Sequence, residues 1–124
     1  MANSQFRSVR KVSGTKYIQF RKKRNSELGR NPALTLIGKL RIKNKRGLGG
    51  NLKSQMLSGD EVCVSNKGKT TKLKILNVDK NPANIHYTRR NIITKGSIVK
   101  TEKGEVKITS RPGQTGTLFG VLIQ

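Results

Sequence analysis

The chain has 124 residues, with 27 Lys or Arg against six Asp or Glu, a formal net charge of +21. That length allows one modest hydrophobic core and excludes two. A single cysteine, Cys63, excludes an internal disulfide and a CxxC metal knuckle, and the absence of a long apolar run excludes a transmembrane helix or signal-peptide core and points to a cytoplasmic protein.

Residues 1–32 are crowded with cations and poor in everything else. They hold nine Lys or Arg and one acid, Glu27, a net +8, and only four aliphatic side chains: Val9, Val12, Ile18 and Leu28. Such a segment buries too little apolar surface to offset the entropy of ordering its own backbone. It reads as an extended, basic RNA-binding arm that a polyanion orders. Gly14, Gly29 and the residue before Pro32 disfavour one continuous helix, leaving room for a short helical stretch at 22–28. Phe6, Tyr17 and Phe20 are interleaved with the cations, where an aromatic ring can stack on an unpaired base. Arginine grips phosphate in bidentate fashion and lysine acts as a point charge. The arm candidates for RNA contact are therefore Arg7, Arg10, Lys11, Lys16, Tyr17, Phe20, Arg21, Lys22, Lys23, Arg24 and Arg30.

Residues 33–124 carry a net +13 and twenty-five Val, Ile or Leu, and read as one β-barrel domain. Residues 34–43 end in an alternation that predicts a half-buried strand, with Leu40 and Ile42 inward and Lys39, Arg41 and Lys43 outward. Residues 44–51 form a basic, glycine-rich loop carrying Lys45 and Arg46; it lacks the GxxxxGK[ST] frame of a nucleotide-binding loop. Two hairpins follow. A Lys67-Gly68 turn sets Asn66 against Lys69, Val64 against Thr71 and Val62 against Leu73; Cys63 within that run reads as a buried or half-buried thiol. A Lys103-Gly104 turn sets Thr101 against Val106 and Val99 against Ile108. Between the hairpins, Asn81 caps a short helical turn with Pro82 at its first position, and Ile92-Ile93 opens a strand. Arg111-Pro112-Gly113-Gln114 reads as a type II turn, and residues 117–123 as a closing strand. Short strands, glycine turns and no long helix predict an all-β fold, a small antiparallel barrel of about six strands.

Catalysis has little to work with. Asp60 and Glu61 are neighbours on a strand and point to opposite faces. His86, beside Tyr87, Arg89 and Arg90, could in principle serve a nuclease as base, but reads instead as hydrogen-bonding or stacking within a basic RNA-facing loop. No metal-ligand spacing is present. Neither an enzyme, a cofactor nor a small-molecule substrate is expected. His86, Arg89, Arg90, Lys95 and Arg111 instead join Lys45 and Arg46 as RNA-binding candidates on the folded part. An anionic membrane would need an amphipathic helix with a bulky apolar face, which no window supplies, so no membrane contact is expected.

Specific blocks add a resemblance. Arg10-Lys11-Val12-Ser13-Gly14-Thr15 followed five residues later by Arg21-Lys22-Lys23-Arg24-Asn25-Ser26-Glu27-Leu28-Gly29 closely resembles the arm of the archaeal and eukaryotic small-subunit ribosomal protein family S-eight-e. Asn81-Pro82-Ala83-Asn84, His86-Tyr87, residues 89–96 and Thr109-Ser110-Arg111-Pro112-Gly113-Gln114 resemble its other blocks. Ser13, Thr15 and Asn25 depart from the arm pattern. The resemblance spans nearly the whole chain, and the absence of a long insertion suits the archaeal type. It implies a structural constituent of the small ribosomal subunit, contacting small-subunit ribosomal RNA and neighbouring small-subunit ribosomal proteins. The alternative from residues alone is a free-standing single-strand or duplex nucleic-acid binding module, which would need an aromatic platform on its sheet; the folded part has only Tyr87 and Phe119.

Overall fold

The computed structural model describes Ser4 and residues 6–66 and 68–123. The chain divides into two compact units, Met1–Pro32 and Ala33–Gln124.

The second unit is built on nine strands among the described residues: β1 (Thr35–Leu36), β2 (Arg41–Arg46), β3 (Leu52–Ser58), β4 (Glu61–Asn66), β5 (Lys69–Lys80), β6 (Ile92–Ile93), β7 (Ile98–Thr101), β8 (Gly104–Ile108) and β9 (Phe119–Leu122). Two short helices interrupt them, α1 (Ile85–Arg89) and α2 (Pro112–Thr115). Strands β4-β5-β7-β8-β9 close into a barrel, and β2-β3-β1-β6 form a second sheet. The all-β barrel expected from sequence is present, closed by five strands. Its closing pair, β4 with β9, is parallel, with Val64 opposite Gly120; the other barrel pairs are antiparallel.

The core follows from period-two alternation. Val62, Val64, Leu73, Ile75, Val78, Val99, Val106 and Ile108 point inward and are buried, while their sequence neighbours Lys72, Lys74, Lys100 and Lys107 are exposed. Met56, Ile93 and Leu118 join the same cluster. Full burial of each such aliphatic contributes about 1.5–3 kcal/mol. Cys63 lies half-buried between Val62 and Val64, as expected.

The first hairpin has the register read from sequence: Asn66 pairs with Lys69, Val64 with Thr71 and Val62 with Leu73. Lys67 itself lies outside the described residues. The second hairpin is slipped by two residues, with Thr101 opposite Gly104 and Val99 opposite Val106, so that Glu102-Lys103 make the turn. The Thr101 hydroxyl donates to the Gly104 carbonyl at 2.8 Å and locks this register. A slip of two keeps every side chain on its face, so burial alone does not choose between the two pairings.

Three further expectations need correction. Residues 34–43 are not one strand: bends at 37–39 separate β1 from β2, and Leu40 and Ile42 are 58% and 47% exposed rather than buried. Residues 111–114 are no type II turn. Pro112 opens α2, whose last turn ends on Gly116 in the left-handed conformation at φ 69°, and the Gln114 and Thr115 amides both donate to the Arg111 carbonyl. The cap of α1 is Asn84, whose Oδ1 accepts from the His86 amide at 2.9 Å. Asn81 does different work. Its buried amide donates to the Ile92 carbonyl at 2.9 Å while Oδ1 accepts from the Ala83 amide and the Thr94 hydroxyl, tying the loop that carries α1 to β6.

Two variants test this account. A methyl group at Gly120 would overlap Val106 Cγ1 and lie 2.9 Å from the Lys107 carbonyl oxygen. Gly120→Ala should therefore cost about 1–3 kcal/mol, read as a lowered urea midpoint. Asn81→Ala leaves buried polar partners unmatched and should cost about 1–3 kcal/mol as well; amide exchange should quicken locally around residues 82–94 before the barrel opens.

Candidate nucleic-acid interface

Cations dominate the surface of both units, and acids rarely meet them. Among the described residues there is a single ion pair, Arg21 with Glu27. In the first unit this pair staples a short 3-10 turn, Asn25–Glu27, in which the Glu27 amide donates to the Arg24 carbonyl at 3.0 Å. The hydrogen bond from Arg21 holds the Glu27 carboxyl below its ordinary value. The contribution of the pair is thus present at neutral pH and is lost as the pH falls through that lowered value.

The rest of the first unit is organised by cation–aromatic contacts rather than by a core. Arg7 Cζ lies 4.4 Å from the Tyr17 ring centre and 5.9 Å from that of Phe20. Arg21 Cζ lies 5.1 Å from Phe20 and 5.8 Å from Phe6, and Lys11 Nζ lies 5.7 Å from Tyr17. In order, Lys11, Tyr17, Arg7, Phe20, Arg21 and Phe6 form a ladder of alternating charge and ring, each exposed rung contributing about 0.5–1 kcal/mol. Backbone bonds from Lys11 to Thr15 and from Tyr17 to Val9 close a loop between them, in which Arg10 faces Lys16 and its guanidinium donates to the Gly14 carbonyl at 2.7 Å. Phe20 remains 71% exposed and Phe6 59%. The aromatic side chains are therefore already partnered by arginine within the chain, and their exposed area is available for stacking. Lys22, Lys23, Arg24 and Arg30 are exposed.

In the second unit the candidate residues fall in four places. His86 and Arg89 are exposed on α1, with exposed Arg90 as its C-cap; exposed Lys95 lies in the turn between β6 and β7. Lys45 and Arg46 end β2, and exposed Arg111 precedes α2, which packs against β3. Strands β2 and β3 form a two-stranded ribbon closed by a 3-10 turn, Leu48–Gly50. Reading residues 44–51 as loop leaves out Lys43 and Lys53, which the pairing places on the same face as Lys45. The alternation of cations at 41, 43 and 45 is the signal that points to them.

No helix among the described residues is long and apolar enough to cross a membrane. No group of three or more His, Cys, Asp or Glu among them is placed to hold a metal ion.

Comparison with known proteins supplies the family. The family model of ribosomal protein S8e matches residues 4–123. The chain is 48% identical over 122 residues to the small ribosomal subunit protein eS8 of Methanocorpusculum labreanum, covering 97% of this chain and 98% of the relative. It is 49% identical over 127 residues to the protein of that name from Staphylothermus marinus, covering 100% of this chain and 99% of the relative. The corresponding Nanoarchaeum equitans protein is 48% identical over 122 residues, covering 97% and 96%. With a match across almost every residue and archaeal relatives of nearly equal length, the chain belongs to the ribosomal protein S8e family.

Proposed function

We propose that this chain is a structural constituent of the small ribosomal subunit in the cytoplasm, with no catalytic role. It binds small-subunit ribosomal RNA through an N-terminal arm, residues 1–32, and through basic elements of the barrel domain, residues 33–124, among neighbouring small-subunit ribosomal proteins. The observation that carries this reading is electrostatic: the chain has 27 cations, and a single ion pair forms among the described residues. Charge so little compensated opposes folding, and a phosphate backbone relieves it while releasing counterions. Relatives named small ribosomal subunit protein eS8 support the same reading.

The exposed candidate side chains divide the work. Lys22, Lys23, Arg24 and Arg30 supply phosphate contacts from the arm, and the arginines of the ladder hold the exposed rings in place for stacking. His86, Arg89, Arg90, Lys95 and Arg111 present contacts from a rigid scaffold, so they read RNA shape. A free-standing oligonucleotide-binding barrel would carry an aromatic platform, whereas Phe119 stands alone on β9 and Tyr87 lies on α1.

Binding of the protein to deproteinised small-subunit ribosomal RNA, titrated with salt, tests the proposal. The logarithm of affinity should fall linearly and steeply with the logarithm of salt. Replacing Lys22, Lys23, Arg24 and Arg30 together by Gln should make that slope shallower by about 0.7–0.9 for each phosphate no longer neutralised. Stability of the free protein should move by about 0.5 kcal/mol or less. Weaker co-sedimentation with small subunits should accompany the weaker binding. A flat salt response in the unaltered protein would overturn the reading.

A further inference from the structure

Where charged side chains of the barrel stand directly opposite one another, their signs differ. Glu61 faces Lys74 across β4 and β5, and Lys100 faces Glu105 across β7 and β8. The β2–β3 ribbon departs from that pattern. There Lys45 faces Lys53, with Lys43 two residues along the same face opposite Gln55. Residues 39–53 hold six cations and no acid.

Side chains directly opposite in an antiparallel pair have Cβ atoms about 4.5–5.5 Å apart, and like charges placed there are destabilising. Lys45 is half-buried, which weakens solvent screening of the repulsion. Long stems let the two ammonium groups splay, which lessens the cost without removing it. The ribbon is also held from its other side. The Ser54 hydroxyl and Asn44 Oδ1 are hydrogen-bonded at 2.9 Å on that face, and Gly116, at the end of α2, approaches so closely that an added methyl would lie 2.9 Å from Ser54 Cβ and 3.7 Å from Ile42 Cγ2. The lysine face is therefore the one turned away from α2. An anionic oxygen between the two ammonium groups converts one repulsion into two attractions. Lys43, displaced along the strand by about 6.6–6.8 Å, suits the next anionic group of a chain of phosphates better than a second contact to the same one.

We propose that Lys45 and Lys53 clamp one backbone phosphate of RNA and that Lys43 meets the adjacent phosphate, making the β2–β3 ribbon a phosphate-binding element separate from the arm. This rests on the RNA-binding reading given above.

A double-mutant cycle tests it, using Lys45→Gln, Lys53→Gln and the pair in the full chain. In the free protein each single change should raise the melting temperature by a few degrees, with the second adding little, because either one removes the repulsion. With deproteinised small-subunit ribosomal RNA, each should weaken binding several-fold and flatten the salt slope by about one. Lys53→Arg keeps the charge and should bind like the unaltered protein, which separates removal of charge from disturbance of the ribbon. If the unaltered protein binds the RNA and the paired variant binds it equally with the same slope, the clamp is wrong and the broader reading stands. If the unaltered protein does not bind, that reading falls and the clamp with it. Inorganic phosphate at matched ionic strength distinguishes the source of the anion. Stabilisation of the unaltered protein by phosphate, absent in the paired variant and unaccompanied by any change in RNA binding, would overturn the RNA proposal in favour of a free-phosphate site.

Discussion

Closure of the barrel through the parallel pairing of β4 and β9 is the contact on which the second unit depends. The inward side chains of the barrel strands are short and branched, so no single one contributes much, and the sheet must return on itself before they enclose a dry interior. Gly120 seats β9 tightly against β8, where even a methyl group would meet Val106 and the Lys107 backbone, and β9 then pairs on its other side with β4. Against this stands the repulsion of a strongly cationic surface with few acids to relieve it. Closure also removes free strand edges from the barrel, which matters for a protein that leaves Phe119 and Val121 half-exposed on its last strand.

The fold assigns charge to two kinds of support. Alternation along β5, β7 and β8 sends lysines outward from a packed interior, so their positions are fixed by the same register that buries Ile75, Val99 and Val106. The first unit has no such interior among its described residues. Its arginines are held by rings, backbone carbonyls and one carboxylate, contacts that are individually weak and that a phosphate competes for directly. A scaffold-borne cation resists displacement; a ring-borne one can exchange partners at little cost.

What is legible in the sequence divides along the same line. The first hairpin is readable because its turn and its burial pattern agree on one register. The second is not fully readable, since pairing Val99 with Val106 or with Ile108 buries the same faces; the observed pairing comes with a Thr101 hydroxyl bond to Gly104 that the burial pattern does not announce. Leu40 and Ile42 look inward because alternation specifies two faces without saying which is covered. The ribbon escapes notice because residues 44–51 read as glycine-rich loop, although strand pairing continues to Arg46 and Leu52. Parallel closure of β4 on β9 joins segments more than fifty residues apart and leaves no local mark in either. The ladder in the first unit is half legible: the rings and cations are evident, but their mutual pairing requires a chain reversal between Lys11 and Thr15 that a glycine alone does not announce.

Strand β9 is also synthesised after the four strands with which it closes the barrel. With translation proceeding at about 5–20 residues per second, residues 1–32 leave the synthesising ribosome several seconds before β9 can meet β4. Through that interval the newborn chain carries its most concentrated charge while lacking the closed barrel that would hold its other cations in a defined array. Any polyanion that meets the newborn chain in that interval meets charge that no closed barrel yet holds in place. A fixed array of barrel-borne cations therefore arrives only when β9 does.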